Sequence, residues 1–289
     1  MTPTRTPART PDRAALDEWY PVAMASNRPG SPGRETRLLG RPVRVFVDED
    51  GARAESAGRA LPVTVAHGHV WTSLGSPGHA LFDVPEGLQA GRRLVECGSV
   101  RVRCSPLRAV ENFLDIAHFP FVHTDVLGSE PHTEVNRYEV RIREEVDEVW
   151  ATKVTFYQPQ AAKSAEGGLT TEYMYRVPHP TATVLYKTCP PRPGEWDVIA
   201  LFVQPLDEET CEAWPWMALF DDETPQADLI GFQQMIFVQD RSILENQVPR
   251  LLPLDPGLEV PTRADLTSVA YRRWLKKRAW TYGAQLVAA

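Results

Sequence analysis

The chain has 289 residues, enough for one large domain or two of ordinary size. Its composition, 43% hydrophobic and 24% charged residues, is typical of a soluble globular protein, and no apolar run approaches the 18 residues of a membrane-spanning helix. The net charge of −7 argues against a general nucleic-acid-binding protein, because the phosphate backbone attracts basic surfaces, so we expect neither a membrane nor a nucleic acid as partner.

The N-terminal segment, residues 1–16, is rich in Thr, Pro and Arg and has no apolar stretch of the kind found in secretion signals. This composition predicts a disordered tail. The four cysteines form no Cys-x-x-Cys pair, and in a chain without a secretion signal we expect such thiols to be reduced and structural. These features predict a cytoplasmic protein with free thiols at Cys97, Cys104, Cys189 and Cys211.

Residues 17–104 contain short alternating segments separated by Gly and Pro, which predicts a small β-rich domain. The composition then changes. In "LRAVENFLDIAHF", residues 107–119, apolar residues recur at helical spacing, and Pro120 stands where it would end a helix. We therefore expect a helix near the start of a second domain, which spans residues 105–289.

Six alternating segments follow this predicted helix. They are "RYEVRI", "WATKVTF", "TEYMYRV", "TATVLYK", "WDVIALFVQP" and "EAWPWMALF". In the second of them, the side chains expected on one face are Trp150, Thr152, Val154 and Phe156. Six successive strands without a long helix between them predict a large antiparallel sheet. Helical patterns over residues 225–247 and 263–280 complete an α+β fold in which a few helices pack on this sheet.

The helical pattern over residues 225–247 includes a carboxylate on its apolar face. The apolar stripe consists of Leu229, Phe232, Ile236 and Ile243. Four residues after Ile236 the stripe should include a further residue, and Asp240 occupies that position. We therefore expect Asp240 to face the core. A buried carboxylate is costly unless it is paired or bound to a metal, which leaves an ion pair with an internal arginine or a metal site.

The segment "ENFLDIAHFPFVHTD", residues 111–125, supplies further metal-binding side chains. If it is helical, Asp115 and His118 share a face, and His123 lies just beyond the break at Pro120. With Asp240, the two histidines would form a 2-His-1-carboxylate triad, which suits non-haem Fe(II), and Asp115 would orient His118. Zinc would accept the same ligands, and a pair of satisfied core histidines remains an alternative.

The other histidines are weaker candidates. His132 is a rival ligand, but "SEPHTEV" predicts an exposed turn. His179 is interpreted as structural or pocket-lining. His67 and His69 have no cysteine or carboxylate at ligand spacing, so we interpret them as strand or turn residues.

Three stretches resemble the catalytic domain of Rieske non-haem iron oxygenase α subunits. "ENFLDIAHFPFVH" resembles the family's iron-binding segment, Asn/Glu-x-x-Asp-x-x-His-x-x-x-x-His. "FVQDRSILENQ" is similar to its third-ligand segment, and "LPLDPGLEVPTRADLTSVAYRRWL" to its C-terminal helix region. The resemblance extends from about Trp19 to the C-terminus, with the motifs in the family's order.

This resemblance implies a role for each motif residue. His118, His123 and Asp240 would bind mononuclear Fe(2+), Asn112 would lie near the iron, and Asp115 would pass an electron to it from a neighbouring Rieske cluster. It also implies a helix-grip (START/Bet v 1-like) fold with a long antiparallel sheet, in agreement with the six predicted strands.

The family's N-terminal domain carries a [2Fe–2S] cluster on two cysteines and two histidines. Here "DEWYPVA", "RLLGRPVRVFVDEDG" and "HGHVWTSLG" are similar to the frame of that domain, but only "ARAESAGRA" stands where the cluster loops belong. Residues 17–104 are therefore interpreted as a degenerate Rieske-like domain, and we expect no [2Fe–2S] cluster in this chain. Either a Rieske centre on another polypeptide supplies the electrons or the chain is an inactive scaffold, and retention of the ligand motif favours the first.

Within the family, the motif region with "FYQPQAA" and "YRVPHP" resembles the Rieske-less catalytic subunit of bacterial methylxanthine N-demethylases. This implies oxidative conversion of 7-methylxanthine to xanthine and formaldehyde, a reaction of caffeine breakdown. The implied partners are O2, a small aromatic substrate, a Rieske-containing NAD(P)H reductase or Rieske-bearing oxygenase subunit, and other subunits in a trimer-based oligomer.

Three alternatives to this function remain open: an O-demethylase or ring hydroxylase of another aromatic compound, a non-catalytic subunit, and a carrier of apolar ligands. An anionic substrate would call for an arginine in the pocket. Aromatic and amide side chains that suit a flat purine, or that only pack the core, are Phe156, Tyr157, Gln158, Tyr173, Tyr175 and Phe237.

Overall fold

The computed structural model of the chain describes residues 11–26, 33–163, 167–255 and 257–286. Its first part contains α1 (Arg13–Leu16), β1 (Tyr20–Met24), β2 (Arg34–Leu38), β3 (Arg41–Asp48), β4 (Gly51–Ser56), β5 (Arg59–Leu61), β6 (Val63–Ala66), β7 (His69–Thr72) and a 3-10 helix over Pro85–Leu88. The seven strands form two small antiparallel sheets, ordered β1-β7-β6 and β2-β3-β4-β5. The prediction of a small β-rich region is confirmed.

Part of the predicted disordered tail is ordered. Residues 1–10 lie outside the described residues, but α1 begins directly after Asp12, whose carboxylate accepts a hydrogen bond from the amide of Ala15 at 2.7 Å. The same carboxylate accepts the amides of Thr281 and Tyr282 at 2.7 and 2.9 Å. The prediction of disorder is therefore wrong for residues 11–16, because Asp12 connects this segment to the far end of the chain.

The large sheet contains β8 (Arg93–Glu96), β9 (Val100–Val102), β10 (Glu139–Arg143), β11 (Glu148–Gln158), β12 (Leu169–His179), β13 (Ala182–Thr188), β14 (Trp196–Pro205) and β15 (Cys211–Leu219). Its order is β10-β11-β12-β13-β14-β15-β8, with β9 also paired to β15 and every pair antiparallel. The six strands predicted in succession are confirmed. β8 and β9 join this sheet, although the sequence pattern places them in the small β domain.

One strand departs from the predicted alternation. The pairing of β11 with β12 skips between Ala151 and Val154, and Lys153 adopts a φ of 59°. Ala151 therefore joins Val154 and Phe156 in the main core, whereas Trp150 packs into a second cluster. The prediction that Trp150 and Phe156 share a face is wrong, because this bulge shifts the alternation by one residue.

The remaining elements are α2 (Pro106–Leu114), α3 (Phe119–Val122), α4 (Gln226–Leu244), a 3-10 helix over Arg263–Asp265, α5 (Leu266–Lys277), and the parallel pair β16 (Leu252–Pro253) and β17 (Ala284–Gln285). α2, α4 and α5 all contact the large sheet, and apolar side chains from each helix join the main core. The α+β, helix-grip prediction is confirmed. Among the described residues, no helix is both long and apolar enough to cross a membrane.

The helix predicted over residues 107–119 is shorter than expected. α2 ends at Leu114, and Asp115 follows with extended backbone angles, φ −82° and ψ 131°. Pro120 lies in the first turn of α3 and does not end a helix. Proline lacks an amide hydrogen, and the first turn is the part of a helix that does not need one.

Glu18 joins the N-terminal segment to two other parts of the fold. Its buried carboxylate lies 2.6 Å from Arg278 Nη2 and 3.1 Å from the Nε2 atoms of His79 and His179. Burial raises the pKa of Glu18, but the neighbouring His179, His79 and Arg278 outweigh this effect and lower it to about 2. The carboxylate is therefore ionised at neutral pH, and His179 has a structural partner.

Candidate metal centre

The structure brings His118, His123 and Asp240 together. Asp240 Oδ1 lies 3.2 Å from His118 Nε2 and 3.0 Å from His123 Nε2, and the two Nε2 atoms are 3.2 Å apart. Across the described ranges, these three residues are the only group of three or more side chains of metal-ligand type close enough to share one ion.

A single helical turn places the two histidines. His118 directly precedes α3 and His123 directly follows it, and the amide of His123 bonds to the carbonyl of Phe119 at 3.0 Å. The turn aims both rings at one point although α2 has already ended. Pro120 favours this turn, because its fixed φ suits the start of a helix.

Asp240 reaches the site from the middle of the buried face of α4. The buried residues of this helix are Leu229, Gln233, Ile236, Phe237, Asp240 and Leu244. At about 100° per residue, Asp240 lies near the centre of the arc that they cover. Ile243, predicted to be on the core stripe, is 39% exposed at the edge of this arc, so that part of the prediction is wrong.

Each histidine has a partner for its other ring nitrogen. His118 Nδ1 donates to Asp115 Oδ2 at 2.9 Å, and His123 Nδ1 donates to Gln239 Oε1 at 2.8 Å. These bonds leave both Nε2 atoms directed at the centre of the group. Gln239 was not among the site residues predicted from the sequence. Its only signal in the sequence is its position directly before Asp240, with a side chain that can accept a hydrogen bond from an imidazole.

Electrostatics favour a cation at the centre. Burial raises the pKa of Asp240, but hydrogen bonds with His118 and His123 outweigh it and lower the pKa below its usual value. Burial also lowers the pKa of His118, and its hydrogen bonds to Asp115 and Asp240 outweigh that effect and raise the pKa to about 9. A metal ion would thus replace a proton on His118.

The spacing of the donor atoms indicates a coordination geometry. For ligand bonds of about 2.1 Å, separations of 3.0–3.2 Å correspond to angles of about 90° to 100° at a shared ion. His118, His123 and Asp240 are therefore close enough to bind one ion together, and two imidazoles with one carboxylate are the donor set that leaves three positions open on an octahedral metal.

Asn112 and Asp115 lie between this group and the protein surface. Asn112 Nδ2 is 3.4 Å from Asp240 Oδ1, and Asp115 Oδ1 accepts the amide of Ala117 at 2.9 Å. Both residues line a cavity of about 930 Å³ between α2, α4 and the C-terminal segment. Asp115 thus contacts His118 on one side and borders this surface cavity on the other.

The other candidate histidines lie outside the metal group. His132 is exposed and its ring packs on Tyr157, with centroids 4.4 Å apart. His69 Nδ1 bonds to the His67 carbonyl at 2.6 Å, and the His67 ring stacks on Phe82 at 5.6 Å. His69 lies in β7 and His67 in a turn with a φ of 51°, which confirms the strand and turn prediction.

The cysteines and the proposed pocket residues also have defined positions. All four cysteines are buried and free, and Cys104 Sγ lies 3.9 Å from Cys211 Sγ. Phe156 and Tyr173 pack on Phe119, with centroid distances of 5.7 and 6.4 Å. Tyr175 and Phe237 are buried in the same core, Gln158 is buried, and Tyr157 is half-buried against His132.

Comparisons with known proteins identify the class of protein to which this fold and this His–His–Asp group belong. Residues 102–280 match the family described as vanillate O-demethylase oxygenase C-terminal domain. The chain belongs to this family, which comprises catalytic domains of Rieske oxygenases. Catalytic domains of Rieske oxygenases use mononuclear iron, and a His–His–Asp group is present here.

Within this family, the chain is similar to methylxanthine demethylases. It is 43% identical over 270 residues to the probable methylxanthine N7-demethylase NdmC of Pseudomonas sp. (strain TJI-51), covering 93% of this chain and 96% of that protein. It is 26% identical over 185 residues to the methylxanthine N1-demethylase NdmA of Pseudomonas putida, covering 62% of this chain and 49% of that protein.

Solved structures show the same fold. The structure of Pseudomonas putida CBB5 NdmA with caffeine matches with a TM-score of 0.73 at 18% identity, over 91% of this chain and 90% of that chain. Dicamba monooxygenase bound to dicamba matches with a TM-score of 0.69 at 16% identity, over 91% and 97% of the two chains. At these identities, the likeness is evidence of fold alone.

Proposed function

We propose that this chain is the oxygenase component of a methylxanthine N-demethylase that converts 7-methylxanthine to xanthine and formaldehyde. The observation that carries this proposal is the buried His118–His123–Asp240 group, which fits an open facial metal site next to Asp115. The choice of substrate is supported by 43% identity to a probable methylxanthine N7-demethylase.

His118, His123 and Asp240 would hold Fe(II). Ferrous iron at such a site supplies the activation of dioxygen. Asp115 and Gln239 hold the two imidazoles by their Nδ1 atoms, and the amide of Asn112 lies next to Asp240. In the balanced reaction, O2, two electrons and two protons hydroxylate the N-methyl carbon and form one water. The C–N bond of the N-hydroxymethyl product then breaks to release formaldehyde, and the ring nitrogen gains a proton.

Aromatic side chains would exclude water from this reaction. Phe119 packs edge-on against His118 at 5.1 Å, and the ring of Phe156 packs on Phe119. The substrate would be uncharged. Within the described part of the chain, the one fully buried arginine, Arg108, is paired with Glu111 and Glu259, so it is not available to bind an anion. This pairing speaks against the O-demethylation of an aromatic acid.

A Rieske centre on a partner protein would supply the electrons. Asp115 supports this route, because its carboxylate bonds to His118 and also borders the surface cavity. Arg272, Lys276 and the exposed Val260 line the same cavity, which gives a partner both charged and apolar contacts. The partner would be a Rieske-containing NAD(P)H reductase or a Rieske-bearing oxygenase subunit, and the complex would be a trimer-based oligomer.

The small β sheets would be a degenerate Rieske-like domain. His67 and His69 pack among aromatic rings, whereas Cys97 and Cys104 lie beside β8 and β9 in the large sheet. Among the described residues, these histidines and cysteines do not form a group that could share a metal, which supports this view. We assign β8 and β9 to the catalytic domain because they pair with β15.

Turnover of a methylxanthine panel tests the function. The purified chain is combined with Fe(II), NADH and a Rieske-containing reductase, and formaldehyde release is measured. We expect release from 7-methylxanthine, its loss in His118→Ala, and normal turnover in His132→Ala, a control at the exposed histidine. An iron-loaded chain that releases formaldehyde from no methylxanthine would refute the substrate. Less than about one-tenth of an iron per chain after anaerobic reconstitution would refute the oxygenase assignment, because the three donors would then hold no ion.

A further inference from the structure

A small group of polar side chains lies in the apolar core on the side of the sheet that faces the metal group. Gln158, Thr171 and Tyr173 are 1%, 0% and 1% exposed. They come from the neighbouring strands β11 and β12, and Thr171 Oγ1 lies 3.4 Å from Gln158 Oε1. The ring of Tyr173 packs on Phe119, which directly follows His118. The polar group therefore lies one aromatic layer from the histidines.

The hydroxyl of Tyr173 is buried and has no hydrogen-bond partner. Thr171 is close enough to influence the pKa of Tyr173, but the two hydroxyls do not form a bond of normal geometry. Burial raises the pKa of Tyr173 well above its usual value, so the hydroxyl keeps its proton and is a buried donor without an acceptor. Most buried hydroxyls in folded proteins have such a partner.

The neighbouring charges do not satisfy this hydroxyl. Lys187 on β13 lies opposite Tyr173, but its Nζ donates to the carbonyl of Ala161. Asp197 on β14 lies opposite Lys187 and is not a register neighbour of Tyr173. The polar group next to Phe119 is thus neutral, with donors and acceptors of the amide and hydroxyl type. Such groups recognise carbonyl and N–H edges of uncharged heteroaromatic rings.

We propose, on the basis of the proposed function, that Tyr173 donates a hydrogen bond to a ring carbonyl of the N-methylated dioxopurine and so positions it for demethylation. Gln158 and Thr171 complete the polar end of this subsite. Phe119 and Phe156 provide the apolar contacts to the flat ring. Tyr173 is a positioning residue in this scheme, since it binds the part of the substrate that does not react.

Two matched tyrosine variants test this assignment. Tyr173→Phe removes the unpaired hydroxyl, whereas Tyr20→Phe removes an equally buried hydroxyl that donates to the Ala15 carbonyl at 2.7 Å. We measure Tm without ligand, and the Kd of 7-methylxanthine for the full chain loaded with Fe(II) under anaerobic conditions. Tyr173→Phe should keep or raise Tm, because it removes a buried donor that has no partner in the free protein. The same variant should weaken the binding of 7-methylxanthine by roughly tenfold, because the complex loses a hydrogen bond. Tyr20→Phe should lower Tm by about 2 °C and leave Kd unchanged.

The outcomes separate this inference from the function on which it rests. If wild-type protein binds and demethylates 7-methylxanthine but Tyr173→Phe binds it within twofold of wild type, the inference is wrong and the function stands. A Tm loss in Tyr173→Phe equal to that of Tyr20→Phe, without a change in Kd, would show a packing role only. If wild-type protein neither binds nor demethylates any methylxanthine, the function fails and the inference fails with it. Gln158→Leu is the second variant, and it should also weaken binding.

Discussion

Replacing Gln239 tests whether a single hydrogen bond sets the metal affinity of this site. In Gln239→Leu, the Nδ1–H of His123 loses its acceptor at 2.8 Å in a buried position. The ring then favours the other tautomer, with the proton on Nε2, because Asp240 Oδ1 lies 3.0 Å from that nitrogen and can accept it. A proton on Nε2 occupies the lone pair that the metal needs.

The expected loss of Fe(II) affinity is about 10- to 100-fold, which is about 1.4 to 2.7 kcal/mol. This range also matches the cost of about 1–3 kcal/mol for leaving a buried donor without a partner. We would measure the Kd for Fe(II) anaerobically by competition with a chromogenic chelator. Gln239→Glu keeps an acceptor oxygen and should restore binding to near the wild-type value.

Gln234→Leu is the matched control for this experiment. Gln234 lies on the same helix, α4, and its amide donates to the Cys97 carbonyl at 2.8 Å, away from the metal group. Wild-type iron affinity in Gln239→Leu would refute the role of the hydrogen bond in fixing the tautomer. Equal losses in the Gln239 and Gln234 variants would refute it as well, since they would point to a general weakening of α4.

Three further predictions concern activity and stability. Asp115→Asn keeps an oxygen that can accept from His118 Nδ1, so the variant should retain iron. It should lower demethylation by about 10- to 100-fold, measured as formaldehyde release, because it removes the carboxylate charge between His118 and the surface cavity. Folding lowers the pKa of Glu18 from 4.5 to about 2, so its charge contributes up to about 3 kcal/mol above pH 4.5 and loses this contribution as the pH falls to about 2. Denaturant unfolding from pH 2 to 7 should show a pH dependence that is smaller in Glu18→Gln than in wild-type protein by up to about 3 kcal/mol, and an equal dependence in the two proteins would contradict this. Folding lowers the pKa of the buried Lys187 from 10.5 to about 8, so wild-type stability should rise between pH 8 and 10.5. Lys187→Met should lack this rise of up to about 3 kcal/mol, and an equal rise in the variant would contradict the assignment to Lys187.

Local sequence patterns were sufficient for the main features of this fold. The alternation in six successive segments predicted the central strands of the large sheet, because half-buried strands repeat every two residues. The apolar stripe after Pro225 predicted α4 and placed Asp240 toward the core. The motif around His118 and His123, read through its family resemblance, identified the side chains that the structure brings together with Asp240.

Only the tertiary structure decided the features that depend on distant residues. The bulge in β11 shifts the face of Trp150, and β8 and β9 join the large sheet, because both follow from pairing with strands elsewhere in the chain. Gln239 emerged as the partner of His123 across 116 residues. The unpaired hydroxyl of Tyr173 is likewise defined by its surroundings, since a tyrosine in an alternating strand has the same pattern whether or not its hydroxyl finds a partner. Periodicity reports which way a side chain points, and hydrogen bonding across the fold determines what it meets there.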